Sequence, residues 1–153
     1  SNILNPMLTT ETLLSSVRRL WLPAGRDLQR RDGIGLREIA EEPYIMLTVD
    51  EAAHSSLRYW SRGPYQPKVL LRTSSIEAVR SMVANGLGVA ILSDMVHRPW
   101  SLEGRRIETV NIQDPVPPMD VGLAWRANVE FSQPMLAFRR YFQQAYSLPG
   151  TNS

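Results

Sequence analysis

The stretch Leu70 to Ser93, LLRTSSIEAVRSMVANGLGVAILS, constrains the fold more than any other part of the chain, because it demands strand, helix, turn and strand in that order. Leu70 and Leu71 close an apolar run, and Thr73, Ser74 and Ser75 follow as three consecutive hydroxyls. Ser74 with Glu77 fits a capping box, so a helix is expected to start there. Ile76, Val79, Met82 and Val83 recur at helical spacing, and Asn85-Gly86 supplies residues able to take the left-handed conformation that ends a helix. Val89 to Leu92 then returns as a short apolar strand. This order predicts a parallel pair joined by a right-handed crossover, with the loop after the first strand on a ligand-binding edge.

The rest of the chain extends the same pattern. Val17 to Leu22 reads as a strand stopped by Pro23-Ala24-Gly25, although the first ten residues show no firm period. After an arginine-rich loop, Leu36, Ile39 and Ala40 make one stripe of a short helix that Pro43 must end. Tyr44 to Leu47, YIML, reads as a strand buried on both faces. Thr48-Val49-Asp50 is a second strand-to-helix junction, with Asp50 as N-cap and Ala53, Leu57 and Trp60 on one helix face. Ile107 to Ile112 and Val121 to Trp125 read as strands, separated by the proline-rich loop Asp114 to Pro118. Ser132 and Pro134 open a last helix in which Met135, Phe138, Phe142 and Ala145 share a side that must dock on something.

Composition removes several classes of function. There is no cysteine, which excludes disulfides, thiolate catalysis and thiolate metal sites. Seventeen cations face 15 anions, and the arginine pairs, Arg18-Arg19 and Arg105-Arg106 among them, are scattered, so a solvated surface is expected rather than a phosphate track. No apolar run approaches the roughly 18 to 20 residues of a membrane span. His54 and His97 lack partners at ligand spacing, and no metal is expected. Gly86-Leu87-Gly88 follows a helix and precedes a strand, the wrong order for a dinucleotide fingerprint. Glu41 and Glu42 diverge on a helix, and no nucleophile, base and orienter can be named, so the chain is not expected to be an enzyme. No cofactor is expected either.

Three segments, LWLPAGRDLQRRDGIGLREIAEEPYIML, LLRTSSIEAVRSMVANGLGVAILS and VGLAWRANVEFSQPMLAFRRYF, together resemble the effector-binding domain of LysR-type transcriptional regulators. The resemblance runs from about Glu11 to Ala145. It implies an α/β, two-lobed fold like the type II periplasmic binding proteins, with a small molecule held between the lobes. Residues 1–42 would be part of lobe I, 43–126 lobe II, and 127–153 a C-terminal return to lobe I. The crossings would fall near Glu42-Pro43 and Arg126-Ala127. Against the family pattern, the helix-turn-helix, the linker helix and the first part of lobe I have no counterpart in these residues.

The residues themselves place two strand ends, Thr48-Val49 and Arg72 to Ser75, on one side of a parallel sheet, each before a helix N-terminus. Backbone N–H groups and the positive end of the helix dipole suit an anion there. The candidate effector-binding residues are Thr48, Val49, Arg72, Thr73, Ser74 and Ser93. Capping alone would also explain part of the hydroxyl cluster, and Arg72 could simply lie on the polar face of the sheet. The expected function is sensing of a small, anionic metabolite, a carboxylate by preference, to control DNA binding through a domain outside this chain. Partners by resemblance are the effector, DNA, and further copies in a homodimer or tetramer, in the cytoplasm and without a membrane. A solute-binding protein of a transport system is the alternative, since one scaffold serves both. An α/β enzyme is the third reading.

Overall fold

The computed structural model of the chain describes residues 6–26, 32–49, 56 and 58–146. In chain order the elements are β1 (Leu8–Ser16), β2 (Arg18–Pro23), α1 (Leu36–Ile39), β3 (Pro43–Leu47), β4 (Lys68–Thr73), α2 (Ile76–Ala84), β5 (Ala90–Ser93), β6 (Ile107–Val110), β7 (Met119–Arg126) and α3 (Gln133–Tyr146). Residues 58–61 are also helical, and a 3-10 turn spans Asp94–Val96. The expected N-cap Asp50, together with Ala53, His54 and Leu57, lies outside the described residues. Two compact units are present, Val17–Pro118 and Ser1–Ser16 with Met119–Ser153.

In the unit Val17–Pro118, β2 lies between β5 and β6 and runs antiparallel to both. β3 and β4 are parallel, with a register shift between Tyr44 and Ile45. Val89 bridges Tyr44 in parallel, through bonds of 2.8 Å from Ile45 N–H to the Val89 oxygen and from Val89 N–H to the Pro43 oxygen. β3 therefore stands between β4 and the chain entering β5, and the direct β4–β5 pair expected from the sequence is not formed. A crossover requires its strands to be parallel in one sheet, not adjacent. The run YIML takes the central place, where both faces are covered, and β4 becomes an edge with Leu70 60% exposed.

Alternation along the strands divides the core in two. Leu20, Leu22, Tyr44, Met46, Ile91 and Val110 face Leu36, Ile39, Tyr59 and Trp60. Trp21, Ile45, Ala90, Leu92 and Ile107 face Val79, Val83 and Ala84 of α2. The result is helix, sheet and helix in three layers. α1 begins at Gly35, which has no side chain to cap it, and the Asp114 carboxylate accepts from Leu36 N–H at 2.5 Å instead. Arg18, from one of the arginine pairs expected on a solvated surface, is buried, and so is Arg80 on α2.

The start of α2 differs from the expected capping box. The N-cap is Ser75, whose hydroxyl accepts from Ala78 N–H at 3.2 Å, and Glu77 pairs with Arg80 rather than reaching back. The end of α2 follows the sequence closely. Gly86 takes φ 78°, its N–H bonds the Val83 oxygen and the N–H of Leu87 bonds the Met82 oxygen, which is a Schellman closure. Gly88 then passes so close to β3 that a Cβ would stand 2.7 Å from the Pro43 oxygen.

In the other unit, β1 pairs antiparallel with β7 from Leu8↔Arg126 to Ser16↔Met119. The Leu8–Ser16 strand was not expected, because LTTETLLSS alternates weakly and its partner lies more than a hundred residues away. Gly122 is required there, since any Cβ would collide with the Glu11 carbonyl. α3 docks differently from expectation. Arg139 and Gln143 donate to the Glu11 carboxylate at 2.7 and 2.6 Å, and Arg139 lies over the Trp125 and Phe131 rings. Of the residues expected to dock, Met135 and Phe138 remain exposed, Phe138 by 54%.

Candidate functional site

The unit Val17–Pro118 gathers the candidate residues along one edge of its sheet. β3, β4 and the chain through Val89 into β5 run the same way, so their C-terminal ends open on the same side. Leu47 is level with Thr73, and Thr48 N–H donates to the Thr73 carbonyl at 2.8 Å. This joins the first two strand ends. Thr48 lies four residues past Tyr44, and Ser93 four residues past Val89, the pair that bridges the strands. Thr48, Val49, Arg72 and Ser74 are exposed and Thr73 is half-buried.

The hydroxyls have separate duties. Thr73 Oγ1 accepts from Ser75 N–H at 3.1 Å, and Ser75 Oγ accepts from Ala78 N–H, so these two order the first turn of α2. Ser74 stands between them with its side chain exposed. The N–H groups of Ile76 and Glu77 at the first two helical positions have no carbonyl of their own helix to meet. They add to the positive end of the helix at this edge.

Arg72 is level with Met46 in the parallel pair, and its Nη1 lies 2.8 Å from the Met46 sulfur. The thioether is a weak acceptor, which leaves the planar guanidinium with donors for a stronger anionic partner. Ser93 differs from the others. It is 3% exposed, and its hydroxyl accepts from Met95 N–H at 3.1 Å to cap the Asp94–Val96 turn. Arg19 pairs with Asp94 at 3.1 Å and Arg80 Nη2 donates to the Val96 oxygen at 2.5 Å, so the turn after β5 is held on two sides.

Beneath β3 lies a buried polar group that the sequence pattern did not single out. The Tyr44 hydroxyl accepts from Ile91 N–H at 3.2 Å and stands 3.5 Å from the Tyr59 hydroxyl. Burial pushes both phenols up from their ordinary range, so both stay protonated. The sequence signal was present but ambiguous: a tyrosine in an apolar strand reads first as packing. Among the described residues there is no cluster of three or more metal-ligating side chains, and no helix is long and apolar enough to cross a membrane.

Comparison with known proteins finds a family that matches the chain. Residues 2–147 match the LysR substrate binding domain. The uncharacterized HTH-type transcriptional regulator YwbI of Bacillus subtilis strain 168 is 26% identical over 92 residues, covering 60% of this chain and 30% of its own. HinK, a LysR family transcriptional regulator from Pseudomonas aeruginosa, superposes with a TM-score of 0.83 at 24% identity, covering 95% of this chain and 51% of its own. The CcmR regulatory domain of Synechocystis PCC6803, solved in complex with 2-PG, gives a TM-score of 0.80 at 17% identity, covering 96% of this chain and 71% of its own. This chain thus spans about a third of the curated relative and about half of the HinK chain.

Proposed function

The chain belongs to the LysR substrate-binding domain family, and from that premise we propose that it senses a small anionic metabolite, a carboxylate by preference, at the strand-end edge of the unit Val17–Pro118. The observation that carries this reading is the 2.8 Å bond joining Thr48 to Thr73 directly before the N-terminus of α2. An anion at that edge would meet the exposed hydroxyls of Thr48 and Ser74, backbone N–H groups at the start of α2, and the Arg72 guanidinium. Val49 would supply an apolar side and Thr73 the ordering of the loop. Ser93, whose hydroxyl is already engaged, would act through the turn it caps. The 2-PG complex of the CcmR regulatory domain supports a small-molecule ligand as a class.

In the full-length protein, ligand binding would control DNA binding through a helix-turn-helix domain, in a cytoplasmic homodimer or tetramer. Ligand can do this only by favouring one conformation over another. The lobe assignment belongs to the same proposal, with lobe II centred on β3 and β4; against the boundaries expected from the sequence (1–42 and 127–153 for lobe I, 43–126 for lobe II), residues 17–42 would go with lobe II and 119–126 with lobe I. β2 and α1 pack in the same unit as β3 and β4. A role as a transport solute-binding protein is weakened by the designation of the curated relative as a regulator.

The test is a thermal-shift and calorimetric screen of small carboxylates against this chain, repeated with the double variant Arg72→Ala, Thr73→Val. Binding that disappears in the variant supports the site. Binding that is unchanged in the variant overturns it, and an operator footprint of the full-length protein that ignores every binder overturns the sensor role.

A further inference from the structure

Arg18 opens β2 in a place where the strand pattern calls for an apolar side chain, on the same face as Leu20 and Leu22 and directly across from Ser93. It is 7% exposed. Burying a guanidinium is costly, and a strand position that does so is explained only if the charge and its donors are used. Nη1 donates to the Pro117 carbonyl oxygen at 2.5 Å, a bond between residues 99 positions apart. The positive charge also lies close enough to Tyr59 to counter part of the rise that burial imposes on its phenol. Tyr59 in turn adjoins Tyr44, which holds Ile91 N–H.

The position of this bond in the chain gives it meaning. The polypeptide enters the unit at Val17 and leaves it at Pro118. Arg18 and Pro117 are each one residue inside those two points. Next to them, the Val17 carbonyl accepts from Asp94 N–H at 2.9 Å, at the capped turn after β5. Within this one unit, then, entry and exit meet at the Arg18 side chain, and the neighbouring Val17 carbonyl holds the turn after Ser93.

We propose that Arg18 is a positioning residue that clamps the exit of the unit Val17–Pro118, at the Pro117 carbonyl, to the entry strand β2. Proline at 117 and 118 removes two N–H donors from the exit but keeps their carbonyls, and at Pro117 the donor that meets the carbonyl is the Arg18 side chain. The five donors of arginine in a rigid fork suit the task better than the single point of a lysine. Its consequence for signalling rests on the sensor reading above; the clamp itself does not.

Amide hydrogen exchange on this chain, without any effector, tests the clamp with Arg18→Met and Arg18→Lys. The expected result for Arg18→Met is an acceleration of exchange at Asp94 and Met119 about tenfold greater than at Leu22 and Asn85, with Arg18→Lys falling between. Uniform acceleration at all four amides, which a merely structural arginine would give, overturns the proposal, as does no acceleration at Asp94 and Met119. Should Arg18→Met fail to fold, the same comparison in Arg18→Lys decides by the same two outcomes. A negative result removes the clamp and leaves the sensor reading standing, because no ligand enters the measurement.

Discussion

The N–H of Thr48 donates to the carbonyl oxygen of Thr73 at 2.8 Å. The bond is the last rung of the parallel pair β3–β4 and the point where two chain segments turn away from the sheet together. Replacing Thr73 by Val leaves this rung intact, since it uses the backbone, and removes only the side-chain acceptor for Ser75 N–H. Stability should fall by about 1 kcal/mol. Any carboxylate found by the screen should lose affinity by more than this loss of stability explains, as titration calorimetry on folded Thr73→Val will read.

Ser75, not Ser74, caps α2. Ser75→Ala should therefore cost about 1 kcal/mol in urea unfolding, whereas Ser74→Ala should stay within about 0.5 kcal/mol of the parent. Equal effects from the two variants would contradict the assigned cap.

Two glycines two residues apart make different demands. Gly86 has positive φ, and nothing lies within 4 Å of where a Cβ would stand, so Gly86→Ala should cost only the strain of a left-handed alanine, about 1 kcal/mol. A Cβ on Gly88 would meet the Pro43 carbonyl oxygen at 2.7 Å and the Ile45 side chain at 3.2 Å. Gly88→Ala must displace β3 and should be the more destabilising of the two by thermal unfolding.

The Glu11 carboxyl is held below its ordinary pKa, first by the hydrogen bond from Gln143 and further by Arg139, against an opposing effect of burial. A lowered folded-state pKa stabilises above the unfolded value and is lost as pH falls through the folded one. Unfolding followed in the acid range should show Glu11→Gln less stable than the parent at neutral pH, with the gap closing as pH drops below the ordinary carboxylate range. A gap that does not change with pH would remove Glu11 from the acid response.

Local chemistry was readable wherever one segment carried both the signal and its partner. The termination of α2 at Asn85-Gly86 and the break at the 114–118 loop both depend on neighbours in sequence. The candidate edge was legible for the same reason, because hydroxyls after a strand and before a helix can hardly lie elsewhere. The misplaced cap shows the limit. Ser74 and Ser75 are equivalent as residue types, and the choice between them depends on where β4 ends against β3.

Pairing across long separations could not be read in the same way. β1 finds β7 over more than a hundred residues, and its register is set by the contact that only Gly122 permits against Glu11. The insertion of β3 between β4 and β5 depends on which apolar strand gains most from burial on both faces, a comparison among segments rather than a property of one. The docking of α3 through Arg139 and Gln143, with Phe138 left exposed, depends on Glu11 being opposite.

Backbone propensity and side-chain type act over a few residues, so the order of most strands and helices, the residues able to cap and turn, and the chemistry gathered at one set of strand ends were already written in the amino-acid order. Which strand is central, which serine caps, why Arg18 is buried, and that Thr48 meets Thr73 were settled only in the folded chain. Each of those rests on groups brought together when the chain closes on itself, where burial makes an unmet donor or charge costly enough to select one arrangement.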